Sequence, residues 1–203
     1  MKITSRLIEQ PGLQVSIGSH SSAAEGTCLM ELASVIADEE FSASPRCVHP
    51  SLAALARLVN DHVSYPTRQS LVLLLPEMMT YTAPDARLDW AINVSCLTST
   101  CELKPTRRGR RQLRRAQRRL SRLQTERASR LEWLRRPYRR LVGGCVVFQA
   151  AWVASRHGEE RLVALLADAV AAYSWTLPAI IAEVTLPEPE GIAPAEPAEP
   201  VLV

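Results

Sequence analysis

Four residues within the first fifty positions have the chemistry to bind a soft metal ion: His20, Cys28, Cys47 and His49. In the order His-x7-Cys-x18-Cys-x-His they make two ligand-type pairs, and two thiolates with two imidazoles form the closed tetrahedral set of a structural zinc site. Such a site would pin the Ser- and Gly-rich stretch from Ser16 to Gly26, and the loop over 38–48, onto a helical core. One structural zinc is therefore the expected cofactor. The spacing departs from the usual finger, since Val48 alone separates Cys47 from His49. The competing reading makes Cys28 a small buried apolar residue and the two histidines loop residues bonded to backbone. Glu31, Asn60 and Asp61 admit a similar pair of roles. They could orient the histidines, or Glu31 could support the first turn of one helix while Asn60 and Asp61 end the next.

A thiol at a helix N-terminus is acidified, so Cys28 with His20 or His49 has the elements of a nucleophile and base. No oxyanion donor or substrate motif accompanies the pair. No catalytic residue is assigned, and a non-enzymatic protein is expected. Cys96 and Cys101, four residues apart and without a nearby histidine, carry no chemistry of their own.

The second feature is charge. Between Arg107 and Arg140 stand fifteen arginines and two acids, Glu126 and Glu132, so this segment carries +13 in a chain of net +3, and the rest sums to −10. Guanidinium groups at this density repel one another and are most favourable beside phosphates or carboxylates. Arg107, Arg108, Arg110, Arg111, Arg114, Arg115, Arg118, Arg119 and Arg122 recur at steps of three and four, the spacing of a helix face. They are the candidate nucleic-acid-binding residues. With Trp133 and Tyr138 the only aromatics near, stacking on single-stranded bases has little support. Duplex DNA or structured RNA is the expected partner, with an acidic protein as the alternative.

These residues need elements to hold them. Apolar residues make up 47% of the chain and aromatics 5%, with Leu and Ala dominating, a composition that favours helices over sheets. Leu29, Leu32, Ala33 and Ile36 share one helical face. A second helix starts at His49-Pro50, proline suiting a first turn, and carries Leu52, Leu55, Ala56, Val59 and Val63. The run Leu71–Leu75 reads as a short buried helix broken by Pro76. Asp85 can cap a fourth helix bearing Leu88, Trp90, Ala91 and Ile92. Leu113, Ala116, Leu120, Leu123, Leu131 and Leu134 give the arginine segment an apolar stripe, predicting one long helix that ends near Arg136-Pro137. Helices over about 141–155 and 159–174 follow, the latter with Leu162, Leu165, Leu166, Ala169, Val170 and Tyr173 on one face.

The fold class expected is mainly α, in four parts: a helical module over 1–104 with the zinc clip, the arginine-rich helix over 105–140, C-terminal helices over 141–186, and a disordered Pro/Glu tail over 187–203. From Pro187 onward, five prolines and four glutamates leave too little apolar surface to order the segment. No secretory signal is read at the start of the chain, and five cysteines are an odd number for a disulfide framework. A cytoplasmic location follows as an expectation. No membrane role is expected: 141–154 is too short to span, and 162–182 contains Asp168 and Pro178.

The string Gly18-Ser-His-Ser-Ser-Ala-Ala-Glu-Gly-Thr-Cys-Leu-Met-Glu31, with Phe41-Ser-Ala-Ser-Pro-Arg-Cys-Val-His-Pro50, Asn60-Asp61 and Asp89-Trp90-Ala91-Ile92, resembles a family of small uncharacterised proteins of actinobacteria and their phages. The likeness covers residues 15–95. It implies the identity of a module and no reaction, since that family has no assigned activity. Its members often carry Cys where this chain has His49, an exchange a zinc site would tolerate, and an acid where this chain has Ala43. The long arginine helix is not a feature of the compact members. The function expected is an accessory one, binding nucleic acid or another polyanion through the arginine helix. The alternative is a protein-interaction adaptor whose arginine helix packs or dimerises.

Overall fold

The structure, a computed structural model, describes residues 14–80, 85–125 and 136–185, with backbone alone at 125, 136–144 and 179–185. The expected acidic tail, and the arginine segment from Glu126 to Arg135 with Leu131 and Leu134, lie outside the described residues. Within them the fold is all α: α1 (Leu29–Ile36), α2 (Pro50–His62), α3 (Tyr65–Ser70), a 3₁₀ turn (Leu71–Leu74), α4 (Leu75–Met78), α5 (Ala86–Leu103), α6 (Arg107–Thr125), α7 (Arg136–Ser155) and α8 (Glu159–Thr185). The one β-type pairing among them is a single parallel bridge between Val15 and Thr27, which folds the leader back on itself.

Each helix start has a local cause. Cys28 takes the place Ser or Thr usually fills in a capping box: its Sγ accepts from Glu31 N at 3.4 Å, and its own N–H donates to the Glu31 carboxylate at 2.7 Å. His49 caps α2, with Nδ1 accepting from Ser51 N at 3.2 Å and Pro50 in the first turn. Asp85 caps α5 through Arg87 N at 2.7 Å. Thr106 Oγ1 accepts from Gly109 N at 2.9 Å to start α6.

Helix α5 is the hub, packed against α6, α7 and α8, while α2 lies on α7 and α8, and α1 on α2. Leu29, Leu52, Leu55, Leu88, Ile92, Leu165, Leu166 and Tyr173 are sealed in the shared core. Long-range polar contacts finish helix ends that the local sequence leaves open. The buried Arg68 donates to Asn60 O at 2.8 Å and Val63 O at 2.7 Å, satisfying the C-terminal carbonyls of α2. Glu159, first residue of α8, accepts from Ser64 N at 2.7 Å at the N-terminus of α3.

Three boundaries differ from those expected. Helix α7 is described from Arg136 onward and contains Pro137, so the residue read as a terminator lies within a helix. Helix α8 runs on to Thr185 with Pro178 inside it, eleven residues beyond the expected end. The run at 71–75 is a 3₁₀ turn leading into α4, with Pro76 in the first turn of α4 instead of breaking a helix; Leu71 and Leu75 are buried but Leu73 is 79% exposed.

Candidate polyanion interface and the His20–Glu31 cluster

Arginine is compatible with a helix, so α6 forms despite its charge provided that one face finds cover. That cover is α5. Ala116 and Leu123 are buried, and Gly109, Gln112, Leu113 and Leu120 half-buried. Gly109 permits the close approach: a Cβ there would lie 3.0 Å from Thr106 Oγ1 and 3.3 Å from Cys101 Sγ. At about 100° per residue, these positions occupy an arc of roughly 100°. The nine arginines from Arg107 to Arg122 fill the opposite arc of roughly 180°, all exposed except the half-buried Arg119. No acid occurs in α6. Among the described residues, no carboxylate lies within ion-pair distance of Arg107, Arg108, Arg110, Arg111, Arg114, Arg115 or Arg118. The arginines thus cover half of the circumference and leave no exposed apolar face on this helix.

The other candidate set folds quite differently. Glu31 is 1% exposed and gathers the leader around it. Its carboxylate accepts from His20 N at 2.9 Å, His20 Nδ1 at 2.8 Å and Cys28 N at 2.7 Å. Burial alone would raise its pKa, but these donors outweigh burial, first the Cys28 N–H and then His20, and hold the carboxyl below its ordinary value. An ionised carboxylate can only accept, so His20 Nδ1 carries a proton. The other ring nitrogen, Nε2, lies 3.0 Å from Ser16 Oγ. Gly26 covers this pair with φ +137°, and a Cβ there would sit 2.8 Å from Ser16 Oγ and 2.9 Å from His20 Nε2. Asn60, wholly buried, completes the net: Oδ1 accepts from Leu29 N at 3.3 Å, and Nδ2 donates to Ser16 O at 2.9 Å. Asp61 accepts from Gly18 N at 3.0 Å.

The four expected zinc ligands are not brought together. His20 is engaged at both ring nitrogens, and His49 faces Ser51 N and Asp89 Oδ1, the latter 3.4 Å from Nε2. Cys28 accepts from Glu31 N, and Cys47 lies 4.0 Å from Ala33 O. Among the described residues no group of three or more His, Cys, Asp or Glu side chains is placed to hold a metal ion. Hydrogen bonds fasten the leader to the helices, and Glu31 and Asn60 serve helix ends and leader at once. The expectation of an acidified Cys28 is also corrected. Burial, with the adjacent Glu31 charge, pushes its thiol up to about 11, overriding the helix N-terminus.

Three contributors escape a local reading of the sequence: Ser16 beside His20, Asp89 beside His49, and Arg68 under α2. Asp89 did stand in the quoted string, but nothing local tied it to His49. Next to the cluster, between the leader, α2 and α7, lies a cleft of about 620 Å³ with Cys28, Arg57, Leu58, Asp61 and Phe148 in its walls. No helix among the described residues is long and apolar enough to cross a membrane. Comparison with known protein families, with curated proteins and with solved structures gives no match.

Proposed function

We propose that this protein binds nucleic acid, or a polyanion of like charge density, through the outer face of α6. The observation that carries the reading is the partition of that helix: its apolar stripe is used up against α5, while nine arginines fill the other half without an acid among them. Stripe burial leaves α6 no apolar face for dimerisation, which favours the polyanion over the packing role. Like charges so placed are held together at a cost that phosphates relieve, and release of condensed counterions then drives association. Contacts of this kind position a protein on nucleic acid without reading its sequence.

The test is fluorescence anisotropy of the full chain with labelled nucleic-acid duplexes from roughly 50 to 200 mM salt, where affinity should fall steeply. Replacing Arg111, Arg114, Arg115 and Arg118 together by Gln should flatten the log–log slope by about 3 to 4 and weaken binding at least about tenfold, alike for all sequences. A wild-type protein that shows no salt-sensitive binding refutes the reading. The adaptor reading would then take its place, supported by Phe148 and Trp152, which are 59% and 54% exposed on α7 beside the cleft.

A further inference from the structure

The width of the arginine arc carries information that the net charge does not. A helix crossing a single phosphate row meets it along a narrow strip, and arginines at the sides would face water. Here the centre of the arc holds Arg107, Arg111, Arg118 and Arg122, one edge Arg110 and Arg114, and the other edge Arg108 and Arg115 with the half-buried Arg119 beyond them, so the charge is spread across roughly 180° along about 28 Å of helix. The ligand that meets both edges at once is a groove walled by phosphates on two sides.

We propose, resting on the polyanion reading above, that α6 lies in the major groove of B-form DNA with its two arginine edges on the phosphates of opposite strands. Dimensions select this groove. A helix with side chains is about 10–12 Å across, and the B-form major groove is about 12 Å wide and 8.5 Å deep. The minor groove, about 6 Å wide, excludes it. The major groove of A-form RNA is deep and too narrow for side chains to read. Helix α6 can enter because α5 is its one extensive packing neighbour among the described elements, and α5 lies on the side opposite the arginines. The central arginines then lie over the groove between the two phosphate rows, and their long side chains turn outward to the phosphates of either wall.

The experiment compares the full chain on a 24-base-pair DNA duplex and on an RNA duplex of the same sequence, each at about 100 mM salt. DNA should bind at least about tenfold tighter than RNA, methyl green in the major groove should compete, and netropsin in the minor groove should not. The paired variants Arg110→Gln/Arg114→Gln and Arg108→Gln/Arg115→Gln should each flatten the DNA salt slope by about 1.8. Equal affinity for RNA, displacement by netropsin, or edge variants without effect on the slope would overturn groove insertion while leaving polyanion binding in place. Binding of neither duplex at about 50 mM salt would mean that the polyanion reading itself has failed.

Discussion

Glu31 and Arg111 are both charged residues on amphipathic helices, yet one is sealed in the protein with three donors on its carboxylate and the other stands in water without a described carboxylate beside it. The difference lies in who supplies the counter-group. Around Glu31 the chain provides its own, from the leader and from the first turn of α1. Around α6 it provides an apolar seat on α5 and, among the described residues, no carboxylate within ion-pair distance of the seven arginines from Arg107 to Arg118. A charge satisfied from within is a fastening; a row of like charges facing water is the feature on which the proposed binding rests. The two regions should therefore fail differently when altered, one by loss of fold and the other by loss of binding.

The largest effect is expected at Glu31. Glu31→Ala leaves the buried Cys28 N–H and the half-buried His20 donors without an acceptor, and should lower unfolding free energy by about 3 kcal/mol in denaturant titration. Nucleic-acid affinity of the remaining folded protein should be unchanged. A loss under about 1 kcal/mol would break the comparison, placing Glu31 with the surface charges. The pH dependence has a fixed sign. Because the folded pKa lies below the ordinary 4.5, the stabilisation is present above that value and is lost as pH falls from it toward the folded pKa. Glu31→Gln should flatten that acid limb of the stability curve.

A smaller loss is expected at Gly26. Gly26→Ala places a methyl group on the Ser16–His20 contact at a backbone angle that L-residues avoid, and should cost about 2 kcal/mol. It should also separate Ser16 from His20, which the imidazole NMR shifts of His20 would report. An unchanged spectrum would show that the leader is held by Glu31 and Asn60 alone.

The smallest change in stability belongs to the arginines. The Gln variant at Arg111, Arg114, Arg115 and Arg118 relieves repulsion between like charges one turn apart, so its stability should rise, by under about 1 kcal/mol, while its affinity for nucleic acid falls. Heat denaturation alongside the anisotropy titration checks both halves. Destabilisation of 2 kcal/mol or more, about four times the usual surface value, would show that the arginines hold the fold and dissolve the distinction between the two regions.

Much of the architecture was legible in local spacing. The apolar faces of α1, α2 and α5, the Pro50 start, the Asp85 cap and the stripe of α6 from Leu113 to Leu123 all stand as read. Misreadings cluster at prolines, because Pro137, Pro76 and Pro178 are the same residue in the sequence whether they end a helix, sit in its first turn or lie within it. Which of these holds depends on whether the missing N–H had a partner to lose. The His/Cys set shows a related limit: residue types and spacing fix which ligands are possible, but not where a ring nitrogen points.

The sequence by itself determined that this chain is helical, that its positive charge is concentrated on one segment, and that the arginines of this segment lie opposite an apolar stripe, because these properties follow from composition and a period of 3.6 residues. Only the tertiary structure decided that α5 covers that stripe, that Glu31 and Asn60 hold the leader, that His49 meets Asp89, and that Cys28 is a buried thiol. Those outcomes depend on contacts between residues many positions apart, and on desolvation, which exists only once the core has closed.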